Sequence, residues 1–444
     1  MNFDFIFHRD VEKRRWMITR GEGIYLFDSN GKRYIDGAGG IGVVNIGHSV
    51  PEVIEAMKEQ AEKICFVYNA QFITEPAAKL AEKIISLSPP GFSRVFIGSG
   101  GSEAIETAIK IARQYHLEKG KSSKYKVIAR WPGYHGNTIA ALSLSGRPAW
   151  RENFVPLLIN FPHIPAPYCY RCYFGKNYPE CGLECAFELE RKIKLEGRDS
   201  VSAFISEPVI GTTAPGVSPP PEYYRIIRKI CDRYDILMIV DEVITGFGRT
   251  GEKFAINHWK ITPDIIVTGK GISSGYAPVS ATVVHEKIWQ AFAKGSGKFP
   301  HGFTYTEHPL SCATALAVQR YIEKNNLIER CAKIGSVLLE KLSALKSFSI
   351  VGDVRGKGLL IGIEFVKDKE KKTPFPSEMR VQERIVEMCF KKGLVLVPGI
   401  TTNIKGMPGD QVQISPPYII DEKIVDEMRD ILEESIREVE KEIL

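Results

Sequence analysis

The sequence predicts an α/β protein: a large domain with a mostly parallel sheet sandwiched by helices, joined to a smaller α+β domain. Three observations carry this. Between residues 94 and 270 the pattern of strand, loop and helix repeats several times. The strands are continuous apolar runs, as expected of strands buried on both faces. Successive runs also end in polar groups. Residues 236–240, all apolar, stop at Asp241-Glu242, and residues 265–267 stop at Thr268-Gly269-Lys270. That edge is where open α/β sheets hold ligands. A carboxylate and an amine placed together there suit pyridoxal 5'-phosphate (PLP). The amine condenses with the aldehyde. The carboxylate pairs with the pyridinium nitrogen and keeps it protonated, so the ring can accept electrons. Either residue alone would read as a solvated charge.

Length allows this architecture. The chain has 444 residues, 44% of them hydrophobic, ample for one large core and a smaller one. A formal charge of +6 is spread along the chain. The one local basic run, 367–372, is interrupted by Asp368 and Glu370, which argues against a nucleic-acid surface. No segment approaches about 18 uninterrupted apolar residues, and the N-terminus lacks a signal-peptide core. The expectation is a soluble cytoplasmic protein with small-molecule substrates and no membrane or nucleic-acid partner.

Taken in order, residues 1–48 read as an extended lead-in with small strands. The stretches 23–28 and 32–36 flank Ser29-Asn30-Gly31, a hairpin with its turn chemistry in the middle. Pro51 opens a helix to about 64, and a second helix covers 76–86. A strand at 94–97 runs into Gly98-Ser99-Gly100-Gly101-Ser102, and a helix starts at once. Strand, glycine turn and helix N-terminus form an anion-binding arrangement: free amides point outward and the dipole favours negative charge. Its spacing matches neither the mononucleotide P-loop nor GxGxxG. The strand 125–129 is capped by Trp131-Pro132-Gly133-Tyr134-His135-Gly136. An aromatic there can stack on a flat ring; His135 receives no role. The strand 201–205 leads to Glu207, and a helix at 222–234 returns the chain to the central pair. After Lys270, residues 271–276 read as a flexible loop. From about 325 the pattern changes to helices at 327–346 and 377–391, strands at 351–356, 359–365, 394–397 and 411–415, and a closing amphipathic helix. The predicted division is 1–55 as the N-terminal part of the small domain, 56–324 as the large domain, and 325–444 as the C-terminal part of the small domain.

Together these segments resemble the class III (ω-aminotransferase) PLP-dependent aminotransferases, of fold type I. The most specific piece is Asp241-Glu-Val-Ile-Thr-Gly-Phe-Gly-Arg-Thr-Gly251, followed by Pro263-Asp264 and Gly269-Lys270-Gly271. The resemblance implies that Lys270 is the Schiff-base lysine and proton shuttle and that Asp241 is the pyridinium partner. Val243 would lie on the ring face opposite Tyr134. Gly100, Gly101 and Ser102 match the phosphate turn, and Glu207 the glutamate near cofactor and substrate. Thr304 matches the threonine that reaches the phosphate held by the other subunit. A homodimer, or a higher assembly with shared sites, follows. The implied reaction moves an amino group from an amine donor to a keto acid, pyruvate or 2-oxoglutarate, by a ping-pong mechanism. Alternatives on the same scaffold are an amino-acid racemase and a decarboxylating aminotransferase. An alternative of another class is a non-catalytic homologue that serves as a binding module.

Two features depart from the pattern. Members acting on 4-aminobutyrate or ornithine carry an arginine three residues before the Pro416-Pro417 pair, and Gln413 stands there. The amine:pyruvate branch uses an arginine slightly earlier, yet in 400–413 the one cation is Lys405, which is suggested, with an arginine from elsewhere as the alternative, to steer the keto acid. The second is an insert, 165–186, with Cys169-x2-Cys172-x8-Cys181-x3-Cys185. Two close pairs suit a structural zinc site. Disulfides and free thiols are the other readings, and in all three the insert is structural.

Overall fold

The computed structural model describes residues 5–11 and 16–444. It contains three sheets. The first is an antiparallel ribbon, β1 (Ile18–Glu22), β2 (Tyr25–Asp28) and β3 (Arg33–Ile35), with the expected hairpin between β2 and β3. Asp28 closes the turn: its Oδ1 accepts the N–H groups of Asn30 and Lys32, both at 2.9 Å.

The second sheet has seven strands: β4 (Phe92–Gly98), β5 (Lys126–Trp131), β6 (His163–Pro165), β7 (Val201–Ser206), β8 (Leu237–Asp241), β9 (Ile265–Thr268) and β10 (Ser280–His285). Their spatial order is β4-β10-β9-β8-β7-β5-β6. Strand pairs from β9 to β6 are parallel, and β10 runs antiparallel between β9 and β4. The apolar runs behave as period-2 strands require. Leu237, Ile239, Ile265 and Val267 join one core cluster, while Met238, Val240 and Ile266 join the cluster on the opposite face. Both faces are therefore covered, which explains why these strands carry no polar alternation.

The third sheet is β11 (Val351–Lys357), β12 (Leu360–Phe365), β13 (Val397–Pro398) and β14 (Gln411–Ile414), in the order β11-β12-β14-β13. Its core includes Ile24, Ile35, Ile46, Val50 and Val53 from the start of the chain and Met428, Leu432 and Ile436 from the closing helix Glu422–Ile443. No helix among the described residues is long and apolar enough to cross a membrane.

Several expectations need correcting. The strand at 394–397 shortens to Val397–Pro398. The helix at 377–391 is broken at Arg380, whose φ of 48° lies in the left-handed region, so the α-helix runs Val381–Lys391. The loop 271–276 is not flexible: Ile272, Ser273 and Ser274 are buried, and Ser274 Oγ accepts the N–H groups of Asn45 (2.8 Å) and Ile46 (3.1 Å).

The helix Gly101–Glu118 is tied to the sheet by a buried histidine. His116 Nε2 donates to the Ser202 carbonyl at 2.9 Å, and burial pushes its pKa down to about 4. The unfolded chain takes up this proton near pH 6.5, whereas the folded protein resists it until about 4. Between those values the unfolded state holds the extra proton, so stability falls as pH falls through the window. The urea midpoint is expected to drop between pH 6.5 and 4 in the wild type. In His116→Gln the drop should be shallower; an identical slope would contradict this account.

Candidate active site

The carboxyl ends of β7, β8 and β9 open into a cavity of about 390 Å3. That is enough for a small cofactor. Gly100, Gly101, Ser102, Tyr134, Glu207, Asp241, Val243 and Lys270, all singled out in the sequence, line it together. Thr304 does not; it is exposed and lies outside this chain's own cavity.

Strand register explains the central pair. Asp241 at the end of β8 pairs with Val267 of β9, and the Glu242 N–H donates to the Val267 carbonyl at 2.8 Å. The chain then runs three residues further to Lys270, which opens a short 3-10 turn with φ at 43°. That value is left-handed, a conformation that a lysine adopts only when its surroundings impose it. Burial pushes the Lys270 amine below its ordinary pKa, against the opposing pull of Asp241 and Glu207.

Asp241 is buried and fully engaged. Its Oδ1 accepts the Val243 N–H at 3.0 Å, and its Oδ2 lies 2.7 Å from His135 Nδ1. A carboxylate can only accept, so the imidazole donates from Nδ1. His135 is the functional residue that the sequence reading missed. A lone histidine after a strand carries no spacing signal, and only the approach of residues 131–136 to β8 reveals its partner.

Glu207 works through its backbone contacts. Oε1 accepts the Tyr134 N–H and Oε2 the Gly211 N–H, each at 2.9 Å. Burial raises its pKa, and the neighbouring Asp241 adds to the effect while His135 opposes it. At the glycine turn, a Cβ on Gly101 would sit 3.1 Å from Val243, so the helix N-terminus approaches the cavity floor closely. At Gly136, φ is 126° and a Cβ would meet Ser102 Oγ at 2.4 Å. The site can thus hold an anion at the helix amides, a planar ring between Tyr134 and Val243, and a carbonyl carbon at the lysine.

Lys405 and the cysteine insert lie elsewhere. Lys405 Nζ stands 5.8 Å from the Tyr173 ring and lines an outer cavity, not the one holding Lys270. Gln413 is buried and bonds Ser415 Oγ at 2.9 Å. The zinc expectation is not supported. Cys169, Cys172, Cys181 and Cys185 are free thiols, and no group of three or more His, Cys, Asp or Glu among the described residues could hold a metal ion. Burial pushes the Cys185 thiol up to about 12 and raises that of Cys169, with the neighbouring cysteines adding to both. Cys169 sits in one 3-10 turn and Cys185 in the first turn of the helix Glu184–Glu196.

Comparison with known proteins gives a consistent result. The family model described as Aminotransferase class-III matches residues 6–436. The uncharacterized aminotransferase YodT of Bacillus subtilis is 42% identical over 428 residues, covering 96% of each chain. The putrescine–pyruvate aminotransferase of Pseudomonas aeruginosa is 38% identical over 421 residues, covering 94% of this chain and 89% of that one. Among solved structures, the ω-transaminase of Pseudomonas jessenii in complex with PMP is 33% identical and superposes with a TM-score of 0.93, covering 99% of this chain and 97% of that one.

Proposed function

The chain belongs to the class-III aminotransferases, and from that premise we propose that the cavity at the carboxyl edge of the seven-stranded sheet is its catalytic centre, with Lys270 and Asp241 as the catalytic pair. The enzyme is PLP-dependent and moves an amino group from an amine to a keto acid. What supports the site assignment is a desolvated amine beside a buried, hydrogen-bonded carboxylate at the ends of neighbouring strands.

The residues present fit the cofactor. Gly100, Gly101 and Ser102 would offer helix amides to its phosphate, Tyr134 and Val243 would flank its ring, and Asp241 would face the ring nitrogen. Bound PLP supplies an aldehyde that condenses with amines and a ring that draws electrons from the adjacent carbon. Lys270 Nζ would hold the cofactor's aldehyde carbon and, once free, would be the group that moves a proton from the donor carbon. Its lowered pKa leaves more of the amine unprotonated and able to serve as base. The Val243 N–H and His135 Nδ1–H fix both oxygens of Asp241, which orients the carboxylate that would meet the ring nitrogen. Glu207 fixes the Tyr134 backbone, and so the height of the stacking ring. Pyruvate is the acceptor we favour, in keeping with the relative named for putrescine and pyruvate.

We also propose the division 1–55, 56–324 and 325–444, supported by the shared core of Ile24, Ile35 and the closing helix. The cytoplasm is the proposed location, in keeping with nine unpaired cysteines. The functional unit is a homodimer in which Thr304 reaches the partner's phosphate. Support comes from the exposed apolar side chain of Tyr305 beside Thr304, whose ring lies 6.1 Å from that of Phe66, and from the exposed Tyr68, Phe72 and Ile73 further along the segment that carries Phe66.

Lys270→Ala is expected to abolish turnover and the visible absorbance of bound PLP; retention of both would refute the assignment. His135→Leu removes a hydrogen bond to a charged acceptor, for which a roughly ten- to hundredfold fall in kcat with little change in KM is expected. His135→Asn, which keeps a donor, should fall between, and an unchanged kcat in both would remove His135 from the mechanism. Light scattering should give twice the chain mass, and a monomer with full activity would overturn the shared site.

A further inference from the structure

A keto acid brings a carboxylate to the site, yet Lys270 and His135 are the only basic side chains lining the cavity among the described residues. Lys405 is turned toward Tyr173, and Gln413 offers no charge. Another cation stands one ring away. The backbone of Gly146 pairs with Gly133, the Gly146 N–H donating to the Gly133 carbonyl at 2.7 Å. This pairing fixes Arg147 beside the turn that carries Tyr134. The Arg147 guanidinium lies over the Trp150 ring with its carbon 3.8 Å from the centroid. Trp150 in turn meets Tyr134 edge-on, with centroids 5.7 Å apart and planes at 88°. Arg9 faces the same Trp150 ring at 5.3 Å.

Arg147 makes no ion pair with any carboxylate among the described residues, although its side chain is partly withdrawn from water. Burial pushes its pKa down to about 10, with Tyr134 pulling upward and Arg9 downward. Holding a desolvated cation without a counter-ion is unfavourable unless one arrives later. A guanidinium held over an indole face by its central carbon can still offer N–H groups for a two-point contact with a carboxylate.

We propose that Arg147 is the residue that recognises the carboxylate of the keto-acid acceptor. The proposal rests on the reading of the Lys270 cavity as the catalytic centre. It assigns acceptor specificity to the segment after Tyr134 rather than to the loop 400–409.

The test separates the two half-reactions in the holoenzyme, followed by the cofactor's visible absorbance. With 1-phenylethylamine, a donor that lacks a carboxylate, Arg147→Met should bleach at the wild-type rate. In the return half-reaction the concentration of pyruvate giving half-maximal rate should rise roughly ten- to hundredfold, the usual worth of a hydrogen bond between charged groups. Butanal, an acceptor without a carboxylate, should be unaffected. Arg147→Lys keeps the charge but loses the fork, and should give an intermediate value for pyruvate. An unchanged pyruvate response in Arg147→Met would overturn the proposal. So would equal losses with pyruvate, butanal and the amine, in both variants, because these would mark Arg147 as structural. Failure of the wild type to bleach with the amine would instead count against the reading of the cavity itself.

Discussion

The register between two neighbouring parallel strands, Asp241 beside Val267, is the constraint on which the rest of the site depends. It places an acid at the end of one strand and, three residues past the next, an amine. Neither group can retreat to water, because Asp241 is buried and the lysine's backbone is locked in a left-handed turn. A one-residue slip would send both side chains to the other face. Such a slip is opposed by Leu237, Ile239, Ile265 and Val267 on one side and Met238, Val240 and Ile266 on the other, each nearly or wholly without solvent exposure. The hydrophobic core therefore sets the chemistry: it fixes where the charges must stand, and the charges then require partners. His135 and the Val243 amide are those partners for Asp241.

A second buried charge gathers distant parts of the chain behind the cavity-lining loop. Arg249 is fully buried, and its Nη1 donates to the carbonyls of Pro416 at 2.6 Å and Leu359 at 3.1 Å, while Nη2 donates to Asn45 Oδ1 at 2.6 Å. These acceptors belong to three distant parts of the chain. A guanidinium bonded this way draws the N-terminal loop, the third sheet and the segment after β8 to one point. The loop it captures matters, since Val43 lines the cavity beside Lys270. The glycines at 37–42 serve this: a Cβ on Gly39 would lie 2.4 Å from the Ser415 carbonyl.

Much of this was legible in the sequence, for physical reasons. Strands buried on both faces must be apolar throughout, so their ends are marked by the first charge, and Asp241, Glu207 and Lys270 announced themselves. The phosphate turn was legible because glycine spacing before a helix has a mechanism. What depends on tertiary approach was not. The strands expected from the sequence do not include β10 at all, and nothing local in its sequence says that it inserts antiparallel between β4 and β9. Residues 271–276, rich in glycine and serine, look like a flexible loop until Ser274 is seen bonding Asn45 and Ile46. The cysteine spacing suggested a metal, but spacing constrains only the sequence distance between sulfurs, not their convergence. Lys405 shows the same limit: its loop was identified, and its direction was not.

The insert's role follows from where its polar side chains go. Glu364 on β12 has no exposed surface, and it accepts hydrogen bonds from Tyr168 and Arg171 of the insert and from Arg355 Nη1 at 2.9 Å. A carboxylate between two guanidiniums is compensated for its desolvation, whereas removing it would leave two buried cations facing one another. Arg355 also donates to the Pro215 carbonyl and to Gln411 Oε1, and Gln411 Nε2 donates to the Thr213 carbonyl at 3.0 Å. Thr213 follows Gly211 and Thr212, which line the catalytic cavity. One chain of charge-assisted bonds thus runs from the cysteine insert through the third sheet to the cavity wall. Tyr168 and Arg171, which flank Cys169, make these bonds, so the insert braces the cavity wall through its tyrosine and arginine.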